Sequence, residues 1–509
     1  MKKLYIILFS FAGIFSFNSS KAQLEYKDVA HIFYSRCTSC HHENQHAPSM
    51  MNYTETLNMG YLLAGQLIAN TMPPWPPDTT YTRFVHEHLI TDTEKNDLLN
   101  WINHGFLMGD TTLAPPAPTY QQYQLNGTPD LVLRTGTFAS NANTQDAYNC
   151  FSLPTNLSQD RILRAYEIIP GNVPIVHHVV VNLDSMGTTT SSLSGNCFNI
   201  TGDIGLGGYA PGAPPTVFPG QAPLKAGIRI RAGSKIVLQI HYPAGTMGQI
   251  DSTQIRLYFY PIGTTNVRPM YASVPLQNWS LDIPPNTTRT FASTYYVPYP
   301  ISVFAAFPHS HKICTSLINY AYQATDTIPL IKINNWRFDW QGYYTFKNMV
   351  KIPNGYTIRS SHFYDNTTNN LNNPFNPPIH VYAGTSTTDE MLFDAFQWMF
   401  YLPGDELIDV NSILENDPLL AGVNENKMSD LISNVYPNPS SDKLNIYLSK
   451  RSDYKISIST IEGKNVLSAK TNEDYSQLDV KGISAGVYIL DARDVRSGEH
   501  FSKKIIISH

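Results

Sequence analysis

Charge is scarce in this chain of 509 residues: only 15% are Asp, Glu, Lys or Arg, against roughly 25% in an average globular protein. The 35 Lys and Arg are outnumbered by 40 Asp and Glu, giving a formal net charge of -5. No long basic stretch could neutralise a run of phosphates, so nucleic acid is not an expected partner. Cysteine is also scarce. Five residues are too few to staple so long a chain, and an odd number leaves at least one with a task other than internal pairing. Beyond the N-terminus no run reaches the ~18 uncharged apolar residues of a membrane-spanning helix. The length is too great for one core and predicts several units of roughly 100 to 200 residues each. Tyr (31), Pro (35) and Gly (30) are plentiful, a profile that suits turn-rich β structure.

Lys2 and Lys3 precede an apolar run from Leu4 to Phe17, and Ser20 and Ala22 supply the small residues a signal peptidase needs. Residues 1–22 therefore read as a secretory signal, cut after Ala22. No Cys follows the cut, which argues against a lipoprotein; the mature chain is expected outside the cytoplasm, without a membrane anchor. Residues 24–112 carry helical patterning. Val29, Ile32 and Phe33 share a face, a longer helix runs from about Tyr53 to Asn70, and Thr91 with Glu94 forms a capping box ahead of Leu98, Leu99 and Ile102, with Gly105 as the stop.

The period then changes. A Pro-rich linker (113–127) containing Ala114-Pro115-Pro116-Ala117-Pro118 leads into short β-rich runs such as Ile175 to Leu183, Ile236 to Ile240 and Val303 to Phe307. These predict two β units, 128–265 and 266–410. A polar stretch with little pattern (411–430) is expected to link them to a last small β unit, 431–509. The predicted fold class is multidomain: a small all-α unit, two β-sandwiches and a small C-terminal β-sandwich.

Cys37-Thr38-Ser39-Cys40-His41 is the Cys-x-x-Cys-His arrangement in which two thiols form thioethers to haem vinyl groups and the His becomes an axial iron ligand. A zinc site using Cys37, Cys40 and two of His41, His42 and His46 is the competing reading. Met72, in Met72-Pro73-Pro74-Trp75, offers a thioether as the second axial ligand; Met50, Met51 and Met59 compete for that position but suit packing better. His42, His46, His86, His88 and His104 have no ligand spacing and read as ordinary surface or structural residues. With the closing Trp101-Ile102 and Gly105, residues 31–109 resemble the small cytochrome c domains of exported bacterial enzymes. The resemblance implies one covalently bound haem c, with His41 proximal and Met72 distal.

Three His-bearing patches lie in the β region: Val176-His177-His178-Val179, Gln239-Ile240-His241-Tyr242 and Pro308-His309-Ser310-His311. On a strand, His309 and His311 point to the same face, the spacing for two imidazoles on one metal. Adjacent His177 and His178 point to opposite faces of a regular strand, so sharing a metal requires a strand end or bulge there. With Ala213-Pro214-Pro215-Thr216, Pro219 and the Asp389-Glu390-Met391 signature, residues 130–405 resemble the type II copper, ascorbate-dependent monooxygenases, which include the peptidylglycine hydroxylating and dopamine β-monooxygenases. The resemblance implies two jelly-roll-like copper domains and two copper ions. His177, His178 and His241 would hold the electron-transfer copper, and His309, His311 and Met391 the copper at which dioxygen reacts. Neutral imidazoles and a soft thioether suit copper, and the thioether favours Cu(I).

The chain departs from that family in two places. The Arg and Tyr that bind a peptide carboxylate in the amidating members correspond to Phe307 and Ala395, so peptide α-amidation is not expected. A disulfide of the family is replaced at both ends, by Leu392 and, within Ser360-Ser361-His362-Phe363-Tyr364, by His362. His362 and His380 are left near the site without an assigned role. Cys150, Cys197 and Cys314 remain, and one disulfide is expected, from Cys150 to Cys197 or to Cys314.

Val435-Tyr436-Pro437-Asn438-Pro439-Ser440, the alternation from Leu444 to Leu448, and Gly486-Val487-Tyr488-Ile489-Leu490 resemble type IX secretion sorting domains, which implies the type IX machinery as a partner. The combined expectation is an exported monooxygenase that hydroxylates a C–H bond of a small organic substrate with dioxygen. The haem would relay electrons from an external donor, an ascorbate-like reductant or a redox protein. The alternatives are an extracellular electron-transfer or copper-binding protein without hydroxylase activity, and a surface adhesin whose histidines are structural.

Overall fold

The structure is a computed structural model that describes residues 23–43, 45, 47–120, 124–193, 197, 203–212, 214–420, 432–448, 451–460, 464–496 and 500–508. The signal segment, His46 and Ala213 lie outside the described residues. Three helices open the chain: α1 (Tyr26–Arg36), α2 (Tyr53–Ile68) and α3 (Asp92–Asn103). Val29, Ile32 and Phe33 of α1 pack on Leu98, Trp101 and Ile102 of α3, all fully buried. The capping box at α3 is present, with the Thr91 hydroxyl and Glu94 carboxylate each meeting the other's backbone N–H, and Gly105 follows the helix at φ +87°, the left-handed position that ends helices. One difference from the sequence expectation is that α2 is not continuous: Gly60, at φ +50°, breaks its helical backbone.

The rest of the described chain is mostly β. The first sheet pair joins a seven-stranded sheet, built around Arg161–Ile169 and Gln254–Phe259, to a four-stranded one. The latter contains β1 (Ala147–Pro154), β2 (His178–Asp184), β3 (Asp203–Tyr209) and β4 (Lys235–Tyr242) in the order β1-β4-β2-β3. The second sheet pair contains β5 (Ile301–Phe307), β6 (Cys314–Gln323), β7 (Tyr344–Ile352), β8 (Thr357–Asp365) and β9 (Phe393–Phe400). One of its sheets runs Tyr271–Gln277, β9, β5, β7, and the other Thr288–Tyr296, β8, β6, Asp326–Ile333.

The two sheet pairs share apolar surface. Phe304, Ala305, Met349 and Met399 of the second lie in one core with Val217 and Phe218 of the first. Polar contacts cross the same junction: Gln397 Nε2 donates to Leu206 O (3.2 Å) and the Tyr343 hydroxyl to Gly205 O (3.3 Å).

Residues 411–420, expected as the start of a polar linker, instead belong to the body of the protein. Val410–Glu415 forms α4, and Val410, Ile413, Leu414 and Leu420 are buried in the first core. The spacing i, i+3, i+4 gives one apolar face, and the buried Asp417 carboxylate accepts from Arg164 at 2.7 Å. Six helical residues are too few for that periodicity to stand out from their polar neighbours.

Cys150 is bonded to Cys197, settling the pairing left open by the sequence, and Cys314 is a buried free thiol pushed well up by desolvation. The C-terminal unit pairs a three-stranded with a four-stranded sheet over Leu444, Ile446, Ile458, Leu490 and Ile505. It rests on α1: the Tyr447 ring lies 4.6 Å from His31, and the Tyr436 hydroxyl donates to Lys27 O at 3.3 Å. Among the described residues, no helix is long and apolar enough to cross a membrane.

Candidate metal centres

His178 on β2 and His241 on β4 are direct cross-strand partners. His177 precedes β2, after a 3₁₀ turn at Val173–Ile175, and its N–H donates to His241 O at 3.0 Å. The strand end that two adjacent histidines require is therefore where the sequence needs it, and all three imidazoles converge. Their candidate ligand atoms lie within 4.8 Å of one another. The Nδ1 atoms of His177 and His178 are 3.2 Å apart, and those of His178 and His241 3.3 Å. Two nitrogens bound to one ion at ~2.0 Å with a tetrahedral angle would be ~3.3 Å apart, so the group fits a single small cation.

Burial pushes His178 well below the ordinary imidazole range, with His241, His177 and His309 adding to the effect. Burial, followed by His177 and Lys312, takes His241 down to about 3. These rings are thus held in the neutral, ligating form. Tyr148 stacks on His241 (4.4 Å between centroids), and Asp146 Oδ2 lies 3.1 Å from its Nε2.

His309 and His311 follow β5 on a turn rather than within a strand, with their rings 5.2 Å apart and near-perpendicular. His309 Nδ1 donates to Gln341 Oε1 at 2.5 Å and His311 Nδ1 to Asp389 O at 3.0 Å. Each bond fixes the tautomer and leaves Nε2 as the lone-pair nitrogen. Burial lowers His309 to about 4, against the Gln341 hydrogen bond, and lowers His311 to about 3. Met391 is buried, and its carbonyl accepts from Ser310 Oγ (2.7 Å) and the Tyr364 hydroxyl (2.8 Å).

Two buried carboxylates hold this turn. Glu390 accepts from the N–H groups of His311 (2.9 Å) and Ile313 (2.7 Å), and burial raises it to about 7 against those bonds. Asp394 accepts from His309 N (3.1 Å), Ser360 Oγ (2.5 Å) and His362 Nε2 (3.1 Å). Burial alone would raise Asp394; its interactions with His362, Ser360 and Asn319 hold it below the usual carboxylate range. His362 is therefore a fully buried brace of the His309 backbone, whereas His380 is exposed beside Asp282.

His178, His309, His311 and Met391 line one cavity of about 760 Å³. Phe307 also lines it, stacked 6.1 Å from His309, and is the cross-strand partner of Ala395. The sequence gives no warning of another part of the wall, Trp75, Val85, His86 and His88 from the helical unit.

Cys37 caps α1, and the turn that follows is closed by His41 N donating to Cys37 O at 3.0 Å. Both Cys37 and Cys40 are free thiols. His41 Nδ1 donates to Pro48 O at 2.8 Å, which presents Nε2 as the free nitrogen, and Met72 is half-buried beyond α2. These are the residues that the cytochrome resemblance assigns to a haem c. Among the described residues, the His177, His178 and His241 group is where three or more His, Cys, Asp or Glu converge on a common point, and Cys37, Cys40, His41 and His42 do not. Cys40 packs against the first β unit so closely that a Cβ at Gly212 would lie 1.9 Å from its Sγ.

Residues 434–508 match the family described as secretion system C-terminal sorting domain. The C-terminal unit is therefore a type IX sorting domain, handled by that secretion machinery, and the chain is exported to the cell surface or outside. The copper and cytochrome resemblances have no such family match. No curated protein matches the chain. Solved structures with some likeness include PorZ, an essential bacterial surface component of the type IX secretion system of Porphyromonas gingivalis, at 15% identity and a TM-score of 0.15. That likeness covers 22% of this chain and 14% of PorZ. The BSP domain of a biofilm-associated protein is 10% identical over 77% of this chain and 84% of its own, with a TM-score of 0.15. A β-glucuronidase from Ruminococcus gnavus is 9% identical over 49% and 46%, again with a TM-score of 0.15. Scores this low carry no information on shared fold or function.

Proposed function

We propose that this chain is an exported copper monooxygenase that hydroxylates a C–H bond of a small organic substrate, with a fused haem c as electron relay. The carrying observation is that His178 and the His309, His311, Met391 group line the same cavity, with the imidazoles of His178, His241, His309 and His311 held neutral by burial. The two sheet pairs read as the two copper-binding sandwiches of the family. His177, His178 and His241 would hold one copper; His309, His311 and Met391 would hold the other. Copper bound to such donors supplies the one-electron chemistry with which dioxygen is reduced, and the Met thioether favours its Cu(I) state.

In the balanced reaction one C–H bond breaks and one C–O bond forms. The second oxygen atom leaves as water, and two electrons and two protons come from the external reductant. Gln341 and Asp389 orient the imidazoles of His309 and His311, while Glu390 and Asp394 hold the turn that carries them. Cys37, Cys40, His41 and Met72 would hold the haem, which supplies a store for an incoming electron. Phe307 and Ala395 leave no carboxylate clamp beside His309, which supports a substrate other than a peptide C-terminus.

The test is one purified preparation of the exported chain. The expected result is two copper ions and a c-type haem spectrum, with reductant-dependent dioxygen uptake and ¹⁸O transferred from ¹⁸O₂ into product. Dioxygen uptake that stays uncoupled across a broad substrate panel would favour the electron-transfer reading, and absence of bound copper would remove both.

A further inference from the structure

The segment between α2 and α3 leaves the helical unit and is built into the second sheet pair. Arg337 Nη1 donates to Thr71 O at 2.6 Å, and Asp78 accepts from Asn334 Nδ2 at 2.9 Å and pairs with Lys332 at 3.3 Å. Pro77 bridges to Ile333 and Phe84 to Phe346, while Val85 N donates to Thr345 O at 2.8 Å. Phe84 is completely buried in the core of the second sheet pair, and Val85 in the core shared with the first.

So anchored, the segment presents rings to the cavity. Trp75 meets Tyr344 edge-on (5.5 Å) and lies 6.0 Å from His88, which in turn meets Trp340 edge-on at 5.8 Å. Of the charged groups in the wall, Asp146 and Lys312 lie by the three-histidine group. Asp146 is 3.1 Å from His241, Asp146 and Asp339 both act on Tyr148, and Lys312 acts on His241.

We propose that Trp75 and His88, with Trp340 and Tyr344, form the specificity wall of this cavity and take an uncharged substrate with an aromatic or similarly flat apolar body. The volume, about 760 Å³, is within the ~300–1,000 Å³ of ordinary small-molecule sites. Edge and face contacts of this kind favour an aromatic guest, and a carboxylate guest would lose hydration in a wall that carries Asp146 and Asp339 as well as Lys312. The assignment rests on the monooxygenase reading only for which C–H bond is presented to His309, His311 and Met391; the binding itself needs no copper.

The test is calorimetric titration of the full chain, metal-free and copper-loaded, with 2-naphthol and with 2-naphthoate, which share a ring system and differ in charge. The naphthol should bind at least ~10-fold more tightly than the naphthoate. Trp75→Leu and His88→Leu, which keep apolar volume, should each weaken naphthol binding ~3- to 10-fold with copper stoichiometry unchanged, and Trp75→Phe should restore most of the affinity. Equal affinities for the two probes, or naphthol binding indifferent to both Leu variants, would overturn the proposal. Trp75-dependent binding without any reductant-dependent dioxygen uptake would instead sink the monooxygenase reading and leave this site standing.

Discussion

The two histidine groups that face the cavity are built on opposite plans. In the first, His178 and His241 sit on paired strands and the Nδ1 atoms point at one another. In the second, His309 and His311 sit on a turn, and their Nδ1 atoms point away, onto Gln341 and Asp389. A strand ladder fixes its side chains through many shared hydrogen bonds, whereas a turn must be fixed by whatever side chains reach it. Here those are the buried carboxylates of Glu390 and Asp394. The first group therefore draws its geometry from backbone, and the second from a polar network buried in the second sheet pair. A centre that only exchanges electrons benefits from the former plan; one that must admit a reactant needs ligands spread around an open position, which the latter permits.

The largest effect expected from breaking this comparison is loss of a ligand. His241→Ala and His311→Ala should each lower copper from two ions per chain to one, measured by elemental analysis after dialysis. Only the latter should leave the three-histidine group intact to electron paramagnetic resonance. Next comes the network. Asp394→Ala strips the partner from the fully buried His362 and should destabilise the protein by about 3–5 kcal/mol, read by urea unfolding. The carboxylate beside the first group is part-exposed: Asp146→Ala should leave stability nearly unchanged yet weaken metal binding there by ~10- to 100-fold, read by competition with a chelator.

The smallest effect is the change that a single histidine makes to the slope of stability against pH. Burial takes His241 and His311 to about 3 and His309 to about 4, below the ~6.5 of an imidazole in the unfolded chain. Between those values the unfolded chain binds protons that the native chain does not. Stability of the copper-free protein should therefore fall as pH drops from 6.5 towards 4, by ~1 kcal/mol per pH unit for each histidine. The slope should be shallower in His311→Leu, and an unchanged slope would mean that His311 titrates normally in the native state.

Much of the first group is legible from the chain. Two adjacent histidines that must share a face require a strand end, and the strand begins at His178. The second group is legible only as ligands. Asp394 carries a signal that could have been used: a lone carboxylate in the apolar run from Phe393 to Phe400 has to find donors if it is buried. Gln341 carries none, because its partner lies 32 residues away, with two strands between them. His88 has no periodic or motif spacing, the motif that contains Trp75 points to the haem unit and not to this cavity, and the contacts that bring their segment here span as many as 266 residues. Such pairings are set by the packing of whole units, which local pattern does not encode.

The burial of Phe84 and Val85 in two different cores bears on how this protein can be taken apart. Proline-rich stretches such as residues 114–118 invite the view that the helical unit is a bead that could be swapped or trimmed at the string. The joint lies elsewhere. A shuffled or shortened chain cut at that linker would open two apolar cores at once, so inheritance of the β units by another protein requires residues 71–90 to travel with them. In this molecule the boundary marked by composition and the boundary of packing do not coincide.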